Sequence, residues 1–213
     1  MKKKYFDQDN EEFLNFVSHG IALIFSVIGL FFLIEKFYLS KKNFSLFAAV
    51  IYGISLILLY AASTFYHLVK DKKTKHLLRI IDHSSIFIFI AGSYSPILLL
   101  NISGKIGWYL FGAQWTLAII GIIFKVFYTG KYEIFFVALY LIMGWMIILK
   151  WELLVSSVPV PGLNLIMLGG LAYSTGVIFY LLDAKYKYFH FIWHIFVMIG
   201  SSFHYFTMLI YLA

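Results

Sequence analysis

The chain has 213 residues, 62% hydrophobic and 13% charged, with a net charge of +7 and a mean hydropathy of +0.87. Soluble domains carry about 25% charged residues, so 17 Lys+Arg and 10 Asp+Glu are too few to clothe a water-soluble fold of this size. With no cysteine there is no disulfide, no thiolate metal ligand and no cysteine nucleophile, and any metal must be held by His, Asp, Glu or water.

Seven apolar runs follow one another along the chain, at about 15–34, 46–69, 80–100, 106–127, 133–150, 163–182 and 190–212. Each is close to the ~20 residues that a helix needs to cross a bilayer. The expected fold is all-α, a single domain of seven transmembrane helices over residues 1–213. The first run follows Lys2, Lys3 and Lys4, but it is too long for a signal-peptide core and lacks a convincing cleavage site, so a retained helix is expected. Most of the charge falls in short connections at 35–43, 70–79, 101–105, 128–132, 151–162 and 183–188, and Pro159, Pro161 and Gly162 mark a turn before the sixth run. The runs lack the alternation of barrel strands.

Basic residues interleaved with apolar runs signal membrane orientation rather than nucleic-acid binding, and no nucleic-acid partner is expected. With the N-terminus inside, twelve of the 17 Lys and Arg face the cytoplasm, among them Lys70, Lys72, Lys73, Lys75, Arg79 and Lys125. Lys36, Lys41, Lys42, Lys105 and Lys150 are left outside. The bias predicts a cytoplasmic N-terminus and an outer C-terminus, with Lys125 snorkelling to the inner headgroups. The Lys, Ile, Phe and Tyr bias suits an AT-rich bacterial genome, so the expected location is a bacterial plasma membrane, multi-pass.

Ionisable groups at membrane depth are functional candidates. His19, His67, His83, His190, His194 and His204 lie in or at the edge of apolar runs, and Asp82 is the one carboxylate that enters such a run. The topology brings His67, Asp82, His190 and His194 to the cytoplasmic end. His190 and His194, spaced i, i+4, share one helical face, as do Ser63 and His67. Three neutral imidazoles plus a water make an open tetrahedral zinc site, where Asp82 can hold or deprotonate the water. Isolated intramembrane histidines also serve as hydrogen-bonding helix contacts, and that reading stands beside the metal reading here. His204, about 15 Å along the helix from His194, is too far to join and is expected to pack helices beside Gly200 and Ser201. His83 is expected to face another helix or the headgroups.

Glu12, Asn15, Ser18, His19 and Gly20 in EEFLNFVSHG, and Ser63, Tyr66 and His67 in YAASTFYHL, resemble hemolysin III family proteins. So do Asp82, His83, Ser84, Gly92, Tyr94 and Pro96 in LRIIDHSSIFIFIAGSYSPI, and His190, Trp193, His194, Gly200, Ser201, His204 and Tyr205 in HFIWHIFVMIGSSFHY. The pattern is also similar to the wider superfamily of progestin and adiponectin receptors and alkaline ceramidases. The resemblance implies Zn2+ held by His67, His190 and His194 on the cytoplasmic side, with Asp82 reaching it through water. It also suggests an oxyanion-stabilising role for Ser63, whose alternative is a bond to its own i−4 carbonyl. It assigns no role to Glu12, Asn15 or His19, which would lie at the cytoplasmic end of the first helix.

These features point to a zinc-dependent hydrolase of a lipid amide or ester, with an acyl-chain ligand entering from the bilayer. Two other classes compete: a membrane-permeabilising hemolysin, and a receptor-like membrane-homeostasis protein with a structural zinc. A structural zinc normally has four protein ligands, so three histidines plus water favour catalysis.

Overall fold

The computed structural model describes residues 2–40, 42–102 and 104–212, with side chains from residue 9 onward. Lys41 and the side chains of Lys2, Lys3 and Lys4, which enter the charge count, lie outside the described residues. The described chain is helical without strands: α1 (Lys2–Leu39), α2 (Ser45–Leu68), α3 (Lys72–Pro96), α4 (Lys105–Tyr128), α5 (Glu133–Gly144), α6 (Trp151–Ser157), α7 (Val160–Leu182) and α8 (Phe189–Thr207). α5 and α6 are joined by a 3-10 segment, Met146–Lys150, and form one span, so seven helical spans are long and apolar enough to cross a membrane. The protein is a multi-pass membrane protein. A bilayer offers no hydrogen bonds to backbone groups, which is why the apolar runs are almost wholly helical.

Several boundaries differ from the sequence expectation. α1 runs on to Leu39, and α7 starts at Val160, so Pro161 and Gly162 belong to its first turn, where a proline is tolerated, rather than to the turn before it. Three further differences have a local reason. α1 starts well before residue 15 and carries its polar first turns out of the apolar region. α3 starts at Lys72 rather than 80, because Asp71 caps it: its carboxylate accepts from the Thr74 N–H at 2.9 Å and from the Thr74 hydroxyl at 2.8 Å. Those bonds, the backbone one foremost, hold the Asp71 carboxyl below its ordinary range. The basic stretch 72–79 is thus helical, as Lys and Arg favour. The stretch 151–157, expected as connection, forms α6 after a break at Gly144. There the Tyr94 hydroxyl donates to the Gly144 carbonyl at 2.5 Å and accepts from the Ile147 N–H at 3.1 Å, satisfying backbone groups that the interrupted helix releases.

α2 packs between α1 and α3, α7 packs along α8, and α8 also meets α1. Buried Tyr52, Leu56, Phe89 and Val197 fill the space between these helices. Large apolar side chains elsewhere point outward, as a lipid-facing surface requires: Phe127 is 75% and Ile134 77% exposed. Small residues permit the close approaches. A Cβ at Gly176 would lie 2.7 Å from the Trp193 ring, so this glycine sets the distance between α7 and α8.

Lys125 does not snorkel. It is fully buried, with Nζ 2.7 Å from Glu133 Oε2 and 4.2 Å from the centre of the Phe136 ring. Glu133 also pairs with Arg79 at 3.5 Å, and the Tyr180 hydroxyl lies 3.4 Å from Glu133 and 3.2 Å from His83 Nε2. A buried cation without a partner costs several kcal/mol, so this knot ties α3, α4, α5 and α7 together at the same end of the bundle as the histidines. His83 accordingly faces α7, and its Nδ1 donates to the Arg79 carbonyl at 2.7 Å. His204 packs helices: its Nε2 donates to the Ile166 carbonyl at 3.3 Å, beside Gly169.

Candidate metal centre

His67 ends α2 one turn after Ser63, and His190 and His194 project from consecutive turns at the start of α8. One ligand atom from each of the three histidines lies within 4.8 Å of the others. Their ring centres are 4.8 Å (His190–His194), 5.0 Å (His67–His194) and 5.2 Å (His67–His190) apart. Imidazoles that share one tetrahedral ion through nitrogens at 2.0–2.1 Å put their ring centres roughly 5 Å apart. The triangle already has nearly that size.

The outer nitrogens explain why the inner ones converge. His67 Nδ1 donates to Glu12 Oε2 at 2.9 Å, and His190 Nδ1 donates to Asp183 Oδ2 at 2.8 Å. His194 Nδ1 lies 3.5 Å from the Ser18 hydroxyl, which itself donates to the Asn15 carbonyl at 3.0 Å. A carboxylate on Nδ1 fixes the tautomer and turns Nε2 into a basic ligand, the outer arrangement characteristic of metal-bound histidines. His67 Nε2 is buried and has no hydrogen-bond partner among the described residues. An orphaned acceptor of this kind is costly in an apolar bundle unless something occupies it. On donor chemistry, spacing and the orphaned nitrogen, the residues fit a divalent ion such as zinc.

Two spaces meet at this triangle. On one side an inner cavity of about 130 Å3 is lined by Ser63, Asp82, His190 and His194, then by Phe89, Ile90, Trp193 and Val197 as it runs toward Tyr94 and His204. His190 and His204, 14 residues apart on α8, both line it. On the other side a polar vestibule of about 1020 Å3 is lined by Glu12, Asn15, His67, Lys75, Arg79, Asp183 and His190. His190 borders both.

Among the residues singled out from sequence, His67, His190 and His194 thus come together, and Ser63 and Asp82 share the inner cavity with two of them. Asp82 lies outside the group of mutually close ligand atoms and has Ser63 as a hydrogen-bonding neighbour. Its side chain is only 14% exposed, with Oδ2 3.7 Å from His83 Nδ1. His19 lies on the inner cavity, whereas Glu12 and Asn15 line the vestibule. Sequence reasoning missed Asp183 altogether and gave Glu12 and Ser18 no role. The available signal was a carboxylate in the short turn before His190, seven residues away, where a tight α7–α8 connection folds it back.

Glu12→Gln and Asp183→Asn each keep the side-chain shape and lose the negative acceptor, so each is expected to weaken metal affinity about 10- to 100-fold. Competition for zinc against a chromophoric chelator checks this, and unchanged affinity in both variants would leave the two carboxylates as mere surface partners.

The haemolysin-III related family matches residues 7–205 of the chain. Hemolysin-3 homolog of Bacillus subtilis (strain 168) is 40% identical over 201 residues, covering 94% of each chain. Hemolysin-3 of Bacillus cereus is also 40% identical over 201 residues, covering 94% of this chain and 91% of its own. The human monocyte to macrophage differentiation factor is 31% identical over 208 residues, 95% of this chain and 84% of that one. No solved structure matches. With a seven-span helical bundle and a match across nearly its whole length, the chain belongs to the haemolysin-III related family.

Proposed function

We propose that the protein is a zinc-dependent hydrolase of a lipid amide or ester, working at the cytoplasmic end of the bundle. The observation that carries this reading is the position of the histidine triangle between an apolar-walled inner cavity holding Ser63 and Asp82 and a polar vestibule. His67, His190 and His194 would hold the ion, which when bound supplies Lewis acidity and a water that ionises near neutral pH. Asp82, buried and outside the ligand group, accepts the proton of the attacking water on its carboxylate and returns it to the leaving group. Once Asp82 has taken up the proton, the single O–H of Ser63, its hydrogen-bonding neighbour, is free to turn to the carbonyl oxygen that carries the negative charge. The apolar wall formed by Phe89, Ile90, Trp193 and Val197 lines the path of the acyl chain. The vestibule, with Lys75 and Arg79 on its wall, opens the polar product's way to water.

Purified protein in detergent is expected to release fatty acid from lipid amides or esters, to stop when its metal is chelated and to resume when zinc is returned. Release that survives chelation would contradict the mechanism. The Bacillus cereus relative bears the name hemolysin-3, and a permeabilising activity in this chain would instead show as dye leakage from liposomes that is indifferent to Asp82.

A further inference from the structure

His19 is 3% exposed on the inner cavity; the His194 backbone is a weak hydrogen-bonding neighbour of its ring, and neither ring nitrogen has a partner at good hydrogen-bond geometry among the described residues. Its ring lies flat on that of His194, with centres 3.6 Å apart and planes 9° from parallel, and the Tyr60 ring meets it edge-on at 5.0 Å. An ion sits in the plane of each imidazole that binds it, so two parallel rings stacked face to face cannot ligate the same ion. His19 is therefore not a fourth ligand. A neutral imidazole carries one N–H donor and one lone-pair acceptor, and both are open to a ligand beside the reaction centre. Farther along the cavity Ser93, Tyr94, Ser174 and His204 are already hydrogen-bonded, and the Tyr173 hydroxyl is the unpartnered group there among the described residues.

We propose that His19 is the polar anchor of the cavity's ligand, exchanging a hydrogen bond with a hydroxyl on the leaving-group side of a lipid amide or ester. The inference rests on the hydrolase reading for its substrate class, and it names which members of that class bind best. The acyl chain follows Phe89, Ile90, Trp193 and Val197 away from the triangle, so a hydroxyl on the leaving-group side stays within a few bonds of the carbonyl, where His19 lies against His194. The flat stack fixes the imidazole plane and leaves its edge as the contact. A ligand with a methyl group in place of the hydroxyl would keep the two nitrogens unmatched.

The test compares two amides that differ only in that group, N-(2-hydroxyethyl)palmitamide and N-propylpalmitamide. Binding to the zinc-loaded full-length protein is measured by equilibrium dialysis in detergent, with Asp82→Asn in every sample to prevent turnover. The hydroxy amide is expected to bind about three- to tenfold more tightly than the propyl amide, the range of one net hydrogen bond. His19→Leu is expected to bring that ratio to about one, and His19→Gln to retain part of it. Unchanged zinc content and monodisperse elution show that the variants are folded. A preference that persists undiminished in His19→Leu, a ratio near one in the parent, or no binding of either amide overturns the proposal and leaves the His19 nitrogens to water. The hydrolase reading is tested separately by palmitate release from both amides with Asp82 intact: release of neither would sink that reading even where the His19-dependent preference holds.

Discussion

Asp82→Asn is expected to keep its full complement of zinc and to lose fatty acid release by about 10^2- to 10^4-fold, the usual contribution of a positioned general base. Asparagine has the same shape and can still meet the Ser63 hydroxyl, but it cannot take a proton. The carboxylate stands apart from the group of mutually close ligand atoms, so its loss should spare the ion. It is mostly buried on the wall that also carries Ser63, His190 and His194, so bulk water has little access to replace it. Metal analysis and fatty acid release on the same sample separate the two effects. Zinc lost in parallel with activity would make Asp82 a ligand rather than a base, and activity retained in full would remove it from the chemistry.

The second large effect falls on the ion itself. His67→Ala, His190→Ala and His194→Ala are each expected to reduce bound zinc below a tenth of an equivalent, because a three-histidine centre left with two imidazoles has lost a third of its protein ligands. The effect should exceed that of Glu12→Gln or Asp183→Asn, which disturb a ligand's orientation without removing it. His194 is the most enclosed of the three, 2% exposed and covered by His19, so His194→Ala also opens a cavity in the core. His190 is less buried, its side chain being 20% exposed, and His190→Ala is the cleaner test. Helix content by circular dichroism and monodisperse elution distinguish a lost ligand from a lost fold.

The span count and the histidine triangle were legible in the sequence for different reasons. Spans follow from twenty-residue apolar runs in a chain with few charges, a signal that needs no tertiary information. The triangle followed from helical spacing on α8 together with topology, which puts the end of α2 and the start of α8 at one face. Charged helix termini were illegible: the basic turns of α3 and the polar start of α1 lack an apolar period, yet a cap at Asp71 and packing of Glu12 against His67 make them helical. The α5–α6 break was illegible too, since it depends on the Tyr94 hydroxyl arriving from another helix. Lys125 looked like a headgroup anchor because its position in the run is terminal. Its burial depends on Glu133 folding back across the short turn after α4, an ion pair that sequence spacing alone does not disclose. Asp183 and Ser18 were missed because a residue that orients a ligand has no spacing rule of its own, only a neighbour in space.

The most direct measurement is the zinc content per chain of the wild-type protein, purified in mild detergent without chelator and read by elemental analysis, with His190→Ala prepared alongside. The account predicts about one zinc per wild-type chain and almost none in the variant. A folded wild-type protein that holds no zinc, and takes up none when it is supplied, would contradict the account and return His67, His190 and His194 to the role of helix-packing imidazoles.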